Sequence, residues 1–166
     1  GANHRFVTIG RLIPYKGYDL AIRAVATAAP ETTLDIYGHG YLENDLKELA
    51  QSLGVADRVH FKGRLDNSAI AEEYAKYRAF VFSTLAEANG IVMQEAMMIG
   101  LPTITLRWGG PAILADDASA EYIDPVDEAQ VVRDLAARMD MLAKNPERAE
   151  MISVSARAVA EEKSDW

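Results

Sequence analysis

The 166-residue chain contains no cysteine. Disulfide scaffolds and thiolate metal sites are therefore excluded, and the composition suits the cytoplasm without requiring it. No apolar run approaches the ~20 residues that a bilayer-spanning helix needs. The first residues do not read as a basic-plus-apolar signal segment. Basic residues are in the minority, with 17 Lys and Arg against 25 Asp and Glu. They are scattered, whereas nucleic-acid binding usually shows a basic stripe. An anionic ligand would have to be held by particular side chains and backbone amides against an acidic whole. His4, His39 and His60 show no metal-ligand spacing, and nothing resembles a nucleophile elbow or an acid paired with a histidine base.

What the chain does have is a short apolar run, a turn and a helical stretch, repeated. RFVTIG (5–10), TLDIYG (33–38), RVHFKG (58–63), RAFVFST (78–84) and LPTITL (101–106) read as strands, and AEYIDP (120–125) as a short sixth. Helical patterns occupy 18–29, 41–54, 90–100, 127–143 and 146–162. Asp66 is placed to cap a further helix running to Tyr77. Short buried strands alternating with helices predict an α/β fold, a doubly wound, Rossmann-like parallel sheet forming one domain over 1–166. Periodicity does not supply the strand order. In such folds ligands lie beyond the carboxyl ends of the strands, near the point where the order reverses, so the loops after Ile9, Tyr37, Phe61, Phe82 and Leu106 carry the candidate chemistry.

GRLIPYKG (10–17) places Arg11 and Lys16 around Pro14, just before a helix. Two cations beside a helix N-terminus could clamp a diphosphate; the alternative is a solvated loop with incidental bases. YGHGYL (37–42) sets Gly38 and Gly40 on either side of His39. This is part of a dinucleotide fingerprint, but Glu43 stands where the third glycine belongs, so a nicotinamide site is not expected. Those glycines serve either close ligand approach or a tight turn. In RWGGPAIL (107–114), Gly109 and Gly110 would let backbone amides approach a ligand.

STLAEANGIVMQEAMMIG (83–100) is apolar yet carries Glu87 and Glu95. Glu87 follows a strand and should project over the carboxyl edge of the sheet. Asn89 and Gly90 read as a turn, and the first amides of the next helix, Ile91 and Val92, should face the same crevice. Glu95 lies on a helix with apolar residues nearly all round, which predicts a carboxylate in a buried setting that needs a partner. A salt bridge or a loop cap would satisfy it; so would a ribose, whose two hydroxyls match the two carboxylate oxygens.

These residues, in this order, resemble the C-terminal, donor-binding half of a GT-B glycosyltransferase, closest to the retaining family 4 enzymes. The match runs over nearly the whole chain, through GRLIPYKG, LDIYGHG, RVHFKGRL, EANGIVMQE with AMMIGLPTI, and GGP. The resemblance implies that Arg11 and Lys16 neutralise a diphosphate, that Glu87 contacts the donor sugar and that Glu95 holds the ribose. Amides at Gly90, Ile91 and Val92 would support the phosphate or sugar. The loops carrying Gly38, His39 and Gly40, and Lys62, Gly63 and Arg64, would border the base. The implied substrate is a nucleotide-diphospho-sugar such as a UDP-hexose, with no metal and no other cofactor. Without a metal, cations and helix dipoles would stabilise the leaving group.

Where the family commonly has Glu-Gly-aromatic-Gly, this chain has Glu87-Ala88-Asn89-Gly90; where an Asn-Gly-x-Leu-Val loop is usual, it has Ser119-Ala120-Glu121-Tyr122-Ile123. The acceptor-binding N-terminal half is expected to be missing, with EKSDW marking the return of the last helix toward it. The fragment alone is then expected to bind donor weakly and not to turn over. Membrane contact would come only through the absent half. The rival readings are a non-catalytic nucleotide-sugar-binding or regulatory module, a dinucleotide enzyme, and a phosphorylase or epimerase on the same scaffold.

Overall fold

The computed structural model of the chain describes residues 1–87 and 90–164. Six parallel strands form one sheet: β1 (Arg5–Ile9), β2 (Thr33–Tyr37), β3 (Val59–Gly63), β4 (Ala79–Phe82), β5 (Thr103–Leu106) and β6 (Glu121–Ile123), in the order β3-β2-β1-β4-β5-β6. The order reverses between β1 and β4, which places the expected ligand crevice above those two strands. The helices are α1 (Tyr18–Thr27), α2 (Glu43–Ser52), α3 (Ile70–Tyr74), α4 (Ile91–Ile99), α5 (Glu128–Lys144) and α6 (Pro146–Ser164).

Every residue of β4 and β5 is buried, as a sheet covered on both faces demands. On one face α1, α2 and α5 pack Ile22, Leu46 and Leu135 against Phe6, Leu34 and Ile104. On the other, α3, α4 and α6 pack Tyr74, Met93, Met97 and Ala156 against Val7, Phe80 and Phe82. Each fully buried Phe, Ile or Met contributes about 1.5–3 kcal/mol relative to exposure. The two cores fix the sheet, and the sheet fixes the loops above it.

Three sequence expectations change. Asp66 makes no side-chain cap; a 3-10 turn, Asn67–Ala69, intervenes, and α3 ends at Tyr74. The chain stops being helical there because Tyr77 turns inward to Asp35 and Arg78 N–H bonds the carbonyl of Arg5 on the way into β4. The fifth strand begins at Thr103, since Pro102 has no N–H and offers only its carbonyl, to Phe80. The third correction concerns α4. Met93, Ala96 and Met97 form its buried stripe, whereas Ile91, Gln94, Glu95 and Met98 are exposed. One helix face packs against the sheet and α6, so an apolar residue can lie on the open side. Glu95 is therefore not in a buried setting.

Candidate active site

The loop after β1 and the loop after β4 are joined backbone to backbone. Leu85 N–H donates to the Tyr15 carbonyl at 3.0 Å, and Ser83 Oγ donates to the Gly17 carbonyl at 2.7 Å. Gly17 has φ 76°, and a Cβ there would sit 1.8 Å from the Ser83 carbonyl oxygen, so only glycine fits. Tyr15 also has a positive φ, 68°. This seam carries Lys16 across the gap. Its ammonium donates to the Ala86 carbonyl at 3.0 Å and pairs with Glu87 Oε2 at 3.3 Å. Both side chains are about one-fifth exposed, Lys16 at 22% and Glu87 at 20%. The charges are thus sheltered yet reachable from the crevice.

A third loop steadies Glu87 from below. Gly110 N–H donates to the Glu87 carbonyl at 3.0 Å, and a Cβ on Gly109 would come within 2.8 Å of the same oxygen. The Gly110 amide expected to approach a ligand is instead used inside the protein, to place the acid. Both helices that leave the seam, α1 and α4, begin after a left-handed glycine and carry no side-chain cap. Their first-turn N–H groups, those of Ile91 and Val92 included, remain as donors carrying the positive ends of the helix dipoles. Such an arrangement attracts an anion. Asn89, with Ala88, lies outside the described residues.

Arg11 lines a groove of about 660 Å³ that it shares with Gly38, His39, Gly40 and Arg64. The sequence left two roles open for the glycines, and the geometry shows the tight packing directly. A Cβ on Gly38 would fall 1.8 Å from the Gly10 carbonyl oxygen, and one on Gly40 2.3 Å from that of Leu12. Leu12 N–H donates to the His39 carbonyl at 2.9 Å, which holds the two loops in register. Gly63 accepts from Gly38 N–H at 2.7 Å and supports the groove from outside, and Lys62 is exposed on β3. Neither Lys62 nor Gly63 lines the groove. Glu95 makes no ion pair among the described residues, and its nearness is felt by the buried Tyr74 hydroxyl, whose pKa burial and the Glu95 charge together raise.

Sequence reasoning missed the seam itself. Tyr15, Gly17, Ser83 and Leu85 carry it, and only the Tyr-Lys-Gly crowding before α1 hints at a strained turn. It also missed a polar cluster on the α3 side. Tyr77 donates to Asp35 at 2.5 Å, His60 Nδ1 lies 2.8 Å from the same carboxylate, and Tyr37 and Lys76 donate to Glu73. Bonds from Lys76 and Tyr37 hold the Glu73 carboxyl at about 2. Burial and the bond to Glu73 push the Tyr37 phenol up to about 12. This cluster pins α3 onto β2 and lies outside the crevice.

A family model described as glycosyl transferases group 1 matches residues 2–159. The GtfA subunit of the UDP-N-acetylglucosamine–peptide N-acetylglucosaminyltransferase of Streptococcus gordonii is 33% identical over 133 residues, covering 77% of this chain and 26% of that protein. The GDP-mannose-dependent α-(1-6)-phosphatidylinositol monomannoside mannosyltransferase of Mycolicibacterium smegmatis is 32% identical over 172 residues, covering 96% and 44%. Among solved structures, the pneumococcal O-GlcNAc transferase GtfA in complex with UDP and GlcNAc superimposes with a TM-score of 0.84 at 25% identity, over 96% of this chain and 32% of that one. The C-terminal domain of a group 1 protein, LpcC, from Francisella tularensis shares the fold, with a TM-score of 0.81 at 21% identity, over 98% of this chain and 87% of that one. The chain spans between about a quarter and somewhat under half of these curated relatives' length. Its sheet order and these likenesses give it the fold of a GT-B C-terminal domain, and the chain belongs to the group 1 glycosyltransferases.

Proposed function

We propose that this domain binds the nucleotide-diphosphate end of an activated sugar and that, joined to an acceptor-binding domain, it serves hexose transfer with retention of configuration. The observation that supports this best is the convergence, at the reversal of the sheet, of the Lys16–Glu87 pair with the uncapped starts of α1 and α4. An anion placed there meets one ammonium and two sets of free amides at once. Such preorganised donors stabilise charge most effectively where little reorganisation is required.

In this reading the diphosphate draws Lys16 away from Glu87, with Arg11 as the second cation. Glu87, released from Lys16, accepts hydrogen bonds from the donor sugar. The groove of Gly38, His39, Gly40 and Arg64 takes the base, and exposed Glu95 takes the ribose hydroxyls. As the glycosidic bond breaks, its electron pair moves onto the diphosphate, where the cations and helix N-termini hold it; the acceptor oxygen bonds the anomeric carbon from the face the leaving group departs, and its proton passes to the departing phosphate oxygen. No metal is required by this scheme, so transfer by the whole enzyme should persist in excess EDTA. The relatives' names include both a UDP sugar and GDP-mannose, so the base is to be determined by experiment. Calorimetric titration with UDP, GDP and ADP provides it. Binding of one of them, weakened at least about tenfold by Lys16→Ala, supports the reading, and binding of none overturns it.

A further inference from the structure

The 3-10 turn Gly110–Ile113, with Leu114 after it, touches both Glu87 and the start of α4. At one end Gly110 N–H holds the Glu87 carbonyl at 3.0 Å. At the other, the buried Leu114 side chain packs with Met93 and Met97 of α4 and lies against Gly90, which opens that helix. The Gly90 carbonyl takes the first bond of α4, from Gln94 N–H at 3.0 Å. One short turn is therefore the seat of two parts of the crevice, the acid and the first amides of α4.

Two side chains from elsewhere in the chain hold that seat. The Tyr122 hydroxyl donates to the Pro111 carbonyl. The Lys163 ammonium, in the last turn of α6, donates to the Ile113 carbonyl at 2.8 Å and to the Leu114 carbonyl at 2.9 Å. Bonds from a charged donor are roughly twice as strong as neutral ones. A lysine held at both carbonyls gives up rotamer freedom that a solvated helix end would leave it. Fifty residues separate Lys163 from Ile113, so the contact ties α6 to the turn and not to its own neighbourhood.

We propose that Lys163 is a positioning residue for the nucleotide-sugar donor: by locking the carbonyls of Ile113 and Leu114 it fixes the turn that places Glu87 and the N-terminus of α4. This inference rests on the reading of the crevice as a nucleotide-diphosphate site. Lys163 acts through Gly110 and Leu114 and does not itself touch the ligand. Without the ammonium the turn is held at its Pro111 end, while its Ile113–Leu114 end is released. The Glu87 carbonyl and the first amides of α4 then have freedom that binding must remove, and affinity falls by that loss of preorganisation.

The test compares the wild-type chain with Lys163→Met, which keeps the length of the side chain without its charge, and Lys163→Arg, which keeps charged donors. Each is titrated with UDP, GDP and ADP, and backbone amide hydrogen exchange is followed residue by residue without ligand. The expected result is about tenfold weaker binding of the recognised nucleoside diphosphate by Lys163→Met. Its Gly110, Leu114 and Gln94 amides should exchange faster while those of α5 keep their wild-type rates, and Lys163→Arg should restore both affinity and protection. Equal diphosphate affinity of Lys163→Met and wild type overturns this inference, whatever the exchange shows, and leaves the parent reading standing. Faster exchange in α5 as well marks a general loss of stability and also overturns the inference. Failure of the wild type to bind any diphosphate overturns both.

Discussion

Tyr15 holds a left-handed backbone that costs a residue with a side chain about 1–2 kcal/mol. Its carbonyl repays part of this by receiving Leu85 N–H, which ties the two crevice loops together. Tyr15→Gly should keep that bond and relieve the strain, raising the melting temperature by a few degrees in a thermal scan. Gly17→Ala should do the opposite. Its Cβ would meet the Ser83 carbonyl, and a loss of about 2 kcal/mol or more in urea unfolding is expected. Lys16 and Glu87 were legible in the sequence because each follows a strand end that the alternation located. Their pairing was not, since 71 residues separate them and no local pattern encodes a contact across the sheet reversal. Glu95 misled for a different reason. Composition counts apolar residues on α4 but does not say which face they occupy, and Ile91 and Met98 lie open to solvent at 54% and 60%.

At the scale of elements, α5 starts with a full capping box. Asp127 accepts from Gln130 N–H while the Gln130 side chain returns to the Asp127 backbone. Asp127→Ala should cost about 1 kcal/mol of stability by denaturant unfolding. The short α3 depends instead on side chains: Glu73 accepts from Tyr37 on β2 and from Lys76 three residues further along the chain. The carboxyl of Glu73 is depressed to about 2 in the folded chain, first by Lys76 and then by Tyr37. A depressed acid contributes stability that is complete above its unfolded value, near 4.3, and fades as pH falls toward about 2. Melting temperature against pH should therefore fall over that interval, and Glu73→Gln should flatten this part of the curve while lowering stability at neutral pH. Strand and helix positions were readable to within a few residues because burial on both faces leaves continuous apolar runs. The early end of α3 was not, because the Tyr77–Asp35 bond that interrupts it joins residues 42 apart.

For the whole molecule, the alternation of strands and helices predicted the doubly wound sheet but not the order of its strands, which is a property of pairing and leaves no mark on periodicity. That order puts the β1 and β4 loops side by side and makes a site from two segments far apart in sequence. With a net charge of −8, the molecule as a whole repels an anionic nucleotide, so affinity must come from the immediate surroundings of Lys16, Arg11 and the two helix starts. The most direct test is a crystal structure of the chain grown with UDP, GDP and ADP in turn. The account predicts phosphate oxygens at Lys16 Nζ and the first amides of α4, with the base over the Gly38–Gly40 turn. A nucleotide bound at the opposite edge of the sheet, in the groove of about 580 Å³ lined by Tyr74, Arg78 and Pro146, would contradict it.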